Sequence, residues 1–382
     1  MISIFLPLLA PLSPLSICSL QSWRRCKRKI HLLSLLAGIV LPLTSFATAE
    51  TYFERYALVA GSPDVDLGTQ PLGYPSGVIS AVMQRDKILR RTLEENKQAL
   101  KTHPFRRGAD MVKLLAEQKL EACLLGDMPT ILAAVTSKVW IVGLVKQTFT
   151  AIVARELTQV SDLTGKRIAY VPASSAHHTL LQGLASAGIN ESQVTLIELG
   201  VDQMPDALEA GKIDAFAAWE PAPTIAIGKN RRNHILFRGI SSDYFVINQE
   251  FARRSPQAAL QLVAGFVRAI RWMRHSQANL DKATAWAMAD NMAFSGKPPA
   301  ISGTQIAAIT RRDILDIPSA PTILRNRPTP PLKTEFQFLS KLGKLPANSS
   351  TQQLDSALNY GGLAEVMNDA EKFQIDRFDY EQ

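Results

Sequence analysis

Apolar positions along this chain follow two signatures. Short unbroken runs rich in Val, Ile, Ala and Leu suit strands buried on both faces. Longer stretches in which Leu, Met and Ala return every three or four positions suit amphipathic helices. Read in order, residues 56–61 (YALVAG) predict a strand, followed by a Gly- and Pro-rich loop through Gln70, Gly73 and Tyr74. Residues 78–93 predict a helix and 99–105 a strand, and a further helix opens at Gly108 and Ala109. Residues 122–125 form a short apolar run ending at Gly126-Asp127-Met128-Pro129, and strands are expected at 139–145 and 151–154. Residues 166–171 predict a buried strand stopped by Pro172. A turn of small residues (Ala173, Ser174, Ser175, Ala176) then leads into a helix whose apolar positions are Leu180, Leu181, Leu184 and Ala187. From residue 249 the pattern is helical, over 249–275, 280–292 and 334–342, with a Pro-rich stretch at 318–331 and a polar tail around 355–360. Strands alternating with helices imply a parallel α/β sheet covered on both faces.

A weak internal repeat sharpens this picture. Residues 110–127 (DMVKLLAEQKLEACLLGD) align without gaps on residues 203–220 (QMPDALEAGKIDAFAAWE). Met111 pairs with Met204, Leu115 with Leu208, Leu120 with Ile213, Glu121 with Asp214 and Asp127 with Glu220, and a proline follows each copy. Repeats of this kind report architecture, here two related lobes. Each copy closes a strand with an acidic residue, at the carboxyl end where open α/β sheets place ligands.

Composition changes the picture mainly at the N-terminus. The formal charge is +8, but Arg24, Arg25, Lys27, Arg28 and Lys29 crowd into one basic cluster, and without them 37 basic residues face 34 acidic ones. No basic stripe with interleaved aromatics remains, so nucleic acid is not an expected partner. The basic cluster precedes an apolar run, residues 30–46, and then Ala47-Thr48-Ala49. This is the order of a cleaved signal peptide, with residues 1–49 removed and the mature chain starting at Glu50. Cys18 and Cys26 leave with the leader and Cys123 alone remains, so the expected product is a disulfide-free protein outside the cytoplasm.

The corner from Ser174 to His177 carries the clearest candidate chemistry. Backbone N–H groups at a helix start, two serine hydroxyls and an imidazole suit an oxyanion, while Ser174 also reads as a plain helix cap. His177 and His178 are adjacent, about 100° apart on a helix, so the pair is not expected to chelate a metal. Trp219 could wall an alkyl chain. If Asp127 and Glu220 both face a cleft, they favour a ligand carrying an ammonium group. Tyr74, Gly108, Ala109 and Tyr244 are lesser candidates. No nucleophile–base pair is legible by spacing, so neither catalysis nor a cofactor is expected.

With these residues in hand, the chain resembles the substrate-binding proteins of ABC importers for aliphatic sulfonates, taurine and nitrate. The matching segments are residues 162–169 (DLTGKRIA), 174–177 (SSAH), 208–215 (LEAGKIDA), 219–221 (WEP), 126–129 (GDMP) and 338–346 (FLSKLGKLP). The resemblance implies a two-lobed periplasmic-binding-protein fold of type II, with two crossover strands and extra C-terminal helices. It places lobe 1 at 50–155 plus 241–382, lobe 2 at 156–240, and the crossings near 148–155 and 240–247. It further implies a monomer that captures a small anionic or zwitterionic solute in the periplasm and passes it to an ABC permease and its ATPase. The ligand would meet Ser174, Ser175, Ala176 and His177 on one side and Gly126, Asp127 and Met128 on the other. Where relatives often carry Gly before the serines, this chain has Pro172-Ala173, which removes a backbone donor. Alternatives are an enzyme on the same fold, of desulfinase or pyrimidine-synthesis type, or a ligand-sensing lobe of a membrane receptor.

Overall fold

Eight strands, β1 (Val65–Thr69), β2 (Leu100–Pro104), β3 (Ala122–Gly126), β4 (Val139–Arg155), β5 (Arg167–Tyr170), β6 (Thr195–Glu198), β7 (Ala215–Ala218) and β8 (Asn233–Asn248), hydrogen-bond in the order β2-β1-β3-β8-β4-β7-β5-β6. This is a computed structural model that describes residues 52–317 and 331–381. The expected leader, its cleavage site and residues 318–330 of the Pro-rich stretch lie outside the described residues.

The central pair makes the architecture. β4 and β8 are antiparallel from Val139↔Asn248 to Arg155↔Asn233, so both run the length of the sheet and belong to both halves. On one side β3 adds antiparallel to β8, and β1 and β2 follow in parallel; on the other, β7 adds to β4, with β5 and β6 following in parallel. Strands were expected at 139–145 and 151–154; they are one 17-residue strand, because the polar residues between them still pair across to β8.

Helices cover both faces: α1 (Ser76–Met83), α2 (Lys87–Glu95), α3 (Gly108–Ala116), α4 (Asp127–Thr136), α5 (Ser175–Ser186), α6 (Met204–Glu209), α7 (Ala222–Lys229), α8 (Gln249–Arg254), α9 (Pro256–His275), α10 (Gln277–Ser295), α11 (Gly303–Thr310), α12 (Pro331–Lys341), α13 (Thr351–Ala357) and α14 (Gly361–Asn368). Separate apolar clusters form on the two faces of each half. Phe245, Val267, Ile270 and Met273 lie in one cluster of the first half and Leu125, Ile131, Phe336 and Leu339 in the other. In the second half, Phe216 and Met204 lie on one face and Ile168, Leu180 and Leu184 on the other.

Three further expectations are corrected. Residues 56–61 are not a strand: a 3-10 turn at Glu54–Tyr56 ends in left-handed Ala57, and the first strand is Val65–Thr69. Its Asp66, Gly68 and Thr69 hide a strand whose five residues are nevertheless all buried. The single helix expected over 78–93 is α1 and α2, because Asp86 caps the second by accepting the N–H groups of Ile88 and Leu89. Residues 249–275 likewise divide at Ser255, and Pro256 opens α9, where its missing N–H costs nothing.

The repeat is visible in the chain's packing. Each copy folds as helix then strand, α3–β3 and α6–β7, with Met111 and Met204 both fully buried. Its acidic residues do the same job. Glu121 accepts the N–H of Asp66 at the start of β1 (3.1 Å), and Asp214 accepts that of Arg167 at the start of β5 (2.9 Å). Each carboxylate thus pins the neighbouring parallel strand.

Candidate functional site

The serine corner folds as its residues require. Pro172 ends the extended segment after β5, Ala173 turns the chain with a left-handed φ of 54°, and Ser174 caps α5. The Ser174 hydroxyl accepts the His177 N–H (3.2 Å) and donates to Val171 O (2.7 Å). The plain cap is therefore present. Ser175, one residue on, faces the first half so closely that a Cβ on Gly126 would overlap its Oγ.

Between the halves lies a small cavity of ≈ 40 Å³. Its walls carry Ser174 and Ser175 from the second half with Trp219, and Tyr74, Ser76, Gly108 and Gly126 from the first. Lys146 of β4 and Ser241 and Asp243 of β8 form its floor. Lys146 is 3% exposed, and its Nζ stands 3.5 Å from Asp243 Oδ1, while the Ser76 hydroxyl donates to the other Asp243 oxygen. A buried lysine and carboxylate at this distance neutralise each other, leaving one cation and one anion facing the same space. The halves meet above them: Tyr74 N–H donates to Glu220 O (3.0 Å), and Gly73 packs so near Trp219 that a Cβ would sit 2.9 Å from its Nε1.

Residues 130–288 match the NMT1-like family. The taurine-binding periplasmic protein of Escherichia coli is 28% identical over 163 residues, which are 40% of this chain and 51% of that protein. The chain spans about half the length of the curated relatives it matches. Among solved structures, the alkanesulfonate-binding protein SsuA from Xanthomonas axonopodis, bound to MOPS, superposes with a TM-score of 0.57 at 20% identity, over 75% of this chain and 96% of that one. The desulfurization enzyme DSZB superposes at 0.52 and 15% identity, over 81% and 99%. The sheet order, the paired crossover strands and these superpositions are those of a two-lobed periplasmic-binding-protein fold, and the chain is similar to sulfonate- and taurine-binding proteins.

Of the residues the sequence singled out, Ser174, Ser175, Tyr74, Gly108, Gly126 and Trp219 line the cavity. Ala176, His177, Asp127, Met128, Glu220, Ala109 and Tyr244 do not. Ala176 and Met128 are core residues, and Tyr244 is packed in the first half with its hydroxyl pKa pushed up by burial. His177 turns away: its Nδ1 accepts the Ala173 N–H (3.2 Å) and its Nε2 points toward Glu191 (3.8 Å). Burial, helped by Lys344, pushes it down to about 4 against the pull of Glu191, so it is neutral near pH 7 and brings no positive charge. Glu220 accepts the Thr224 N–H and meets Arg312 outside the cavity. Lys146, Ser76, Ser241 and Asp243 also line the cavity and are not among the sequence candidates, although Lys146 and Asp243 are lone charges in apolar runs. A buried lone charge demands a partner, which is the available signal.

Asp127 lies behind the cavity wall. Its oxygens accept the N–H groups of Met128 (2.8 Å) and Ser242 (3.1 Å), and burial raises its pKa against the pull of His178. His178, on α5, stands 3.0 Å from Glu335 of α12. Burial lowers the imidazole, but the Glu335 and Asp127 carboxylates outweigh it and the net shift is upward. Burial and Asp127 together push Glu335 up to about 8. Cys123 is fully buried in β3, and burial alone pushes its thiol up, so it is held as the inert thiol.

Proposed function

We propose that this chain is an exported solute-binding protein that holds a small sulfonate between its two halves and delivers it to an ABC importer. The observation that carries the reading is the cavity at the seam, where the Ser174–Ser175 corner faces the buried Lys146–Asp243 pair. The Ser175 hydroxyl, the start of α5 and the Lys146 ammonium together supply donors and positive charge to a sulfonate. Asp243 remains to meet a second group, and an ammonium suits it. Of the three carboxylates Asp127, Glu220 and Asp243, only Asp243 lines the cavity, which favours an aminosulfonate such as taurine. The cavity admits about three water-sized positions, so even taurine requires the halves to stand further apart than they do here. Trp219 then covers the carbon chain. The signal-type order of residues 24–49 and the periplasmic relatives support export and a periplasmic site of action.

Binding energy in such a clamshell shifts an open–closed equilibrium by the ligand's preference for the closed form. Calorimetry with taurine, ethanesulfonate and nitrate is the test. Taurine binds at 1:1, Lys146→Met weakens both sulfonates at least tenfold, and Asp243→Asn weakens taurine more than ethanesulfonate. Absence of binding to all three refutes the reading. The desulfinase alternative has the DSZB structures among the neighbours in its favour; turnover of an aryl sulfinate that disappears in Cys123→Ala would establish it instead.

A further inference from the structure

Among the described residues one group of ligand-type side chains gathers at a single point, and the cavity does not use it. Asp127 opens α4, His178 lies on the first turn of α5 and Glu335 lies on α12. One oxygen or nitrogen of each comes within 4.8 Å of the other two. The three residues are 2%, 3% and 8% exposed, and they come from both halves of the molecule. We infer that Asp127, His178 and Glu335 form a binding site for one divalent transition-metal ion, of the zinc class, that ties α5 to α4 and α12.

Orphaned polar atoms point to the ion. Although His178 Nδ1 and Glu335 Oε1 approach to 3.0 Å, they are not aligned as a hydrogen bond. Both ring nitrogens of His178 and the Glu335 Oε1 are buried without any hydrogen-bond partner among the described residues. Leaving such atoms unsatisfied inside the protein is costly. A cation that takes one imidazole lone pair and one from the Glu335 oxygen satisfies two of these three atoms, and the other ring nitrogen carries the proton. With a divalent ion bound, ionised Asp127 and Glu335 and a neutral His178 would balance its two positive charges.

The donor set selects the ion. One imidazole nitrogen and two carboxylate oxygens suit zinc and its neighbours better than calcium, which takes six to eight oxygens. Ligands about 2.0–2.2 Å from a tetrahedral zinc stand roughly 3.3–3.6 Å apart, so the observed spread of up to 4.8 Å needs only a small contraction. A supporting shell is in place. The N–H groups of Met128 and Ser242 and the Ser175 side chain orient Asp127, and the Phe338 ring packs edge-on against His178 at 5.6 Å. The imidazole pair considered from sequence plays no part, since His177 points elsewhere. The site stands one helical turn from Ser175 and next to Gly126, so the ion would favour the closed arrangement.

The test uses the full protein, stripped with EDTA, exchanged into chelator-free buffer and titrated with zinc chloride by calorimetry. Cobalt chloride is titrated in parallel and followed by visible absorption. Expected are 1:1 zinc binding and cobalt bands of a four-coordinate site. Both weaken at least a hundredfold in His178→Ala and in Glu335→Gln. Glu335→Gln keeps the side-chain shape, so it decides the matter if His178→Ala fails to fold. No stoichiometric zinc binding, or equal binding by the wild type and Glu335→Gln, overturns the site. Taurine titrated into the same stripped protein reports on the solute-binding reading separately.

Discussion

Lys146 and Asp243 show how much one pair of side chains can decide. Each is buried, and each satisfies the other, so removing one strands a charge. Lys146→Met alone should lower unfolding stability by about 3–5 kcal/mol, whereas Lys146→Met combined with Asp243→Asn should recover most of that loss; urea titration of both variants checks this. Loss of sulfonate binding in the stable double variant then reports on the site and not on the fold. Glu121 carries a pH dependence of its own. Burial raises its carboxyl to about 7 from an ordinary 4.5, against the Asp66 N–H and Arg254, while the Asp66 carboxylate adds to the rise. A raised folded-state pKa means stability that is full below pH 4.5 and is lost as pH rises toward 7. Between those values Glu121 should cost on the order of 3 kcal/mol, and Glu121→Gln should flatten that part of a stability–pH profile measured by urea unfolding.

At the scale of elements, most boundaries follow from single residues. Asp86 caps α2 and also binds Arg268 Nε at 2.6 Å, both side chains being fully buried. Asp86→Ala removes the cap and strands the Arg268 charge, so a loss of about 3–5 kcal/mol in chemical denaturation is expected. Ser174 caps α5 in the same manner but lines the cavity as well. Ser174→Ala should cost only about 1 kcal/mol in stability while weakening sulfonate affinity by a larger factor, and the two measurements together separate the cap from the contact. The sequence showed α5 and the serine corner because turn residues, cap and helical period agree there. It concealed β1, since Asp66, Gly68 and Thr69 serve pairing and close packing and break the hydrophobic run.

For the molecule as a whole, the two long strands couple everything. They bind the halves into one sheet, and the seam closes on Gly73 against Trp219 and Gly126 against Ser175. Gly126→Ala introduces a methyl group where Ser175 Oγ sits, so the halves can no longer meet there. Its radius of gyration in small-angle scattering should stay at the open value when taurine is added, while the wild type should contract.

The sequence by itself determined the class of fold, the internal repeat and the corner of α5, because these rest on local period, capping and turn chemistry within a few residues of each other. It carried even the matching roles of Glu121 and Asp214, whose alignment was visible before their hydrogen bonds were. Only the tertiary structure decided which charges share the cavity, and it chose Lys146 and Asp243 over Asp127 and Glu220. It alone joined Asp127, His178 and Glu335 across three helices. The reason is distance along the chain. Electrostatic partnership acts over a few ångströms of space, and residues 97 or 157 positions apart acquire it only when the sheet brings their elements together.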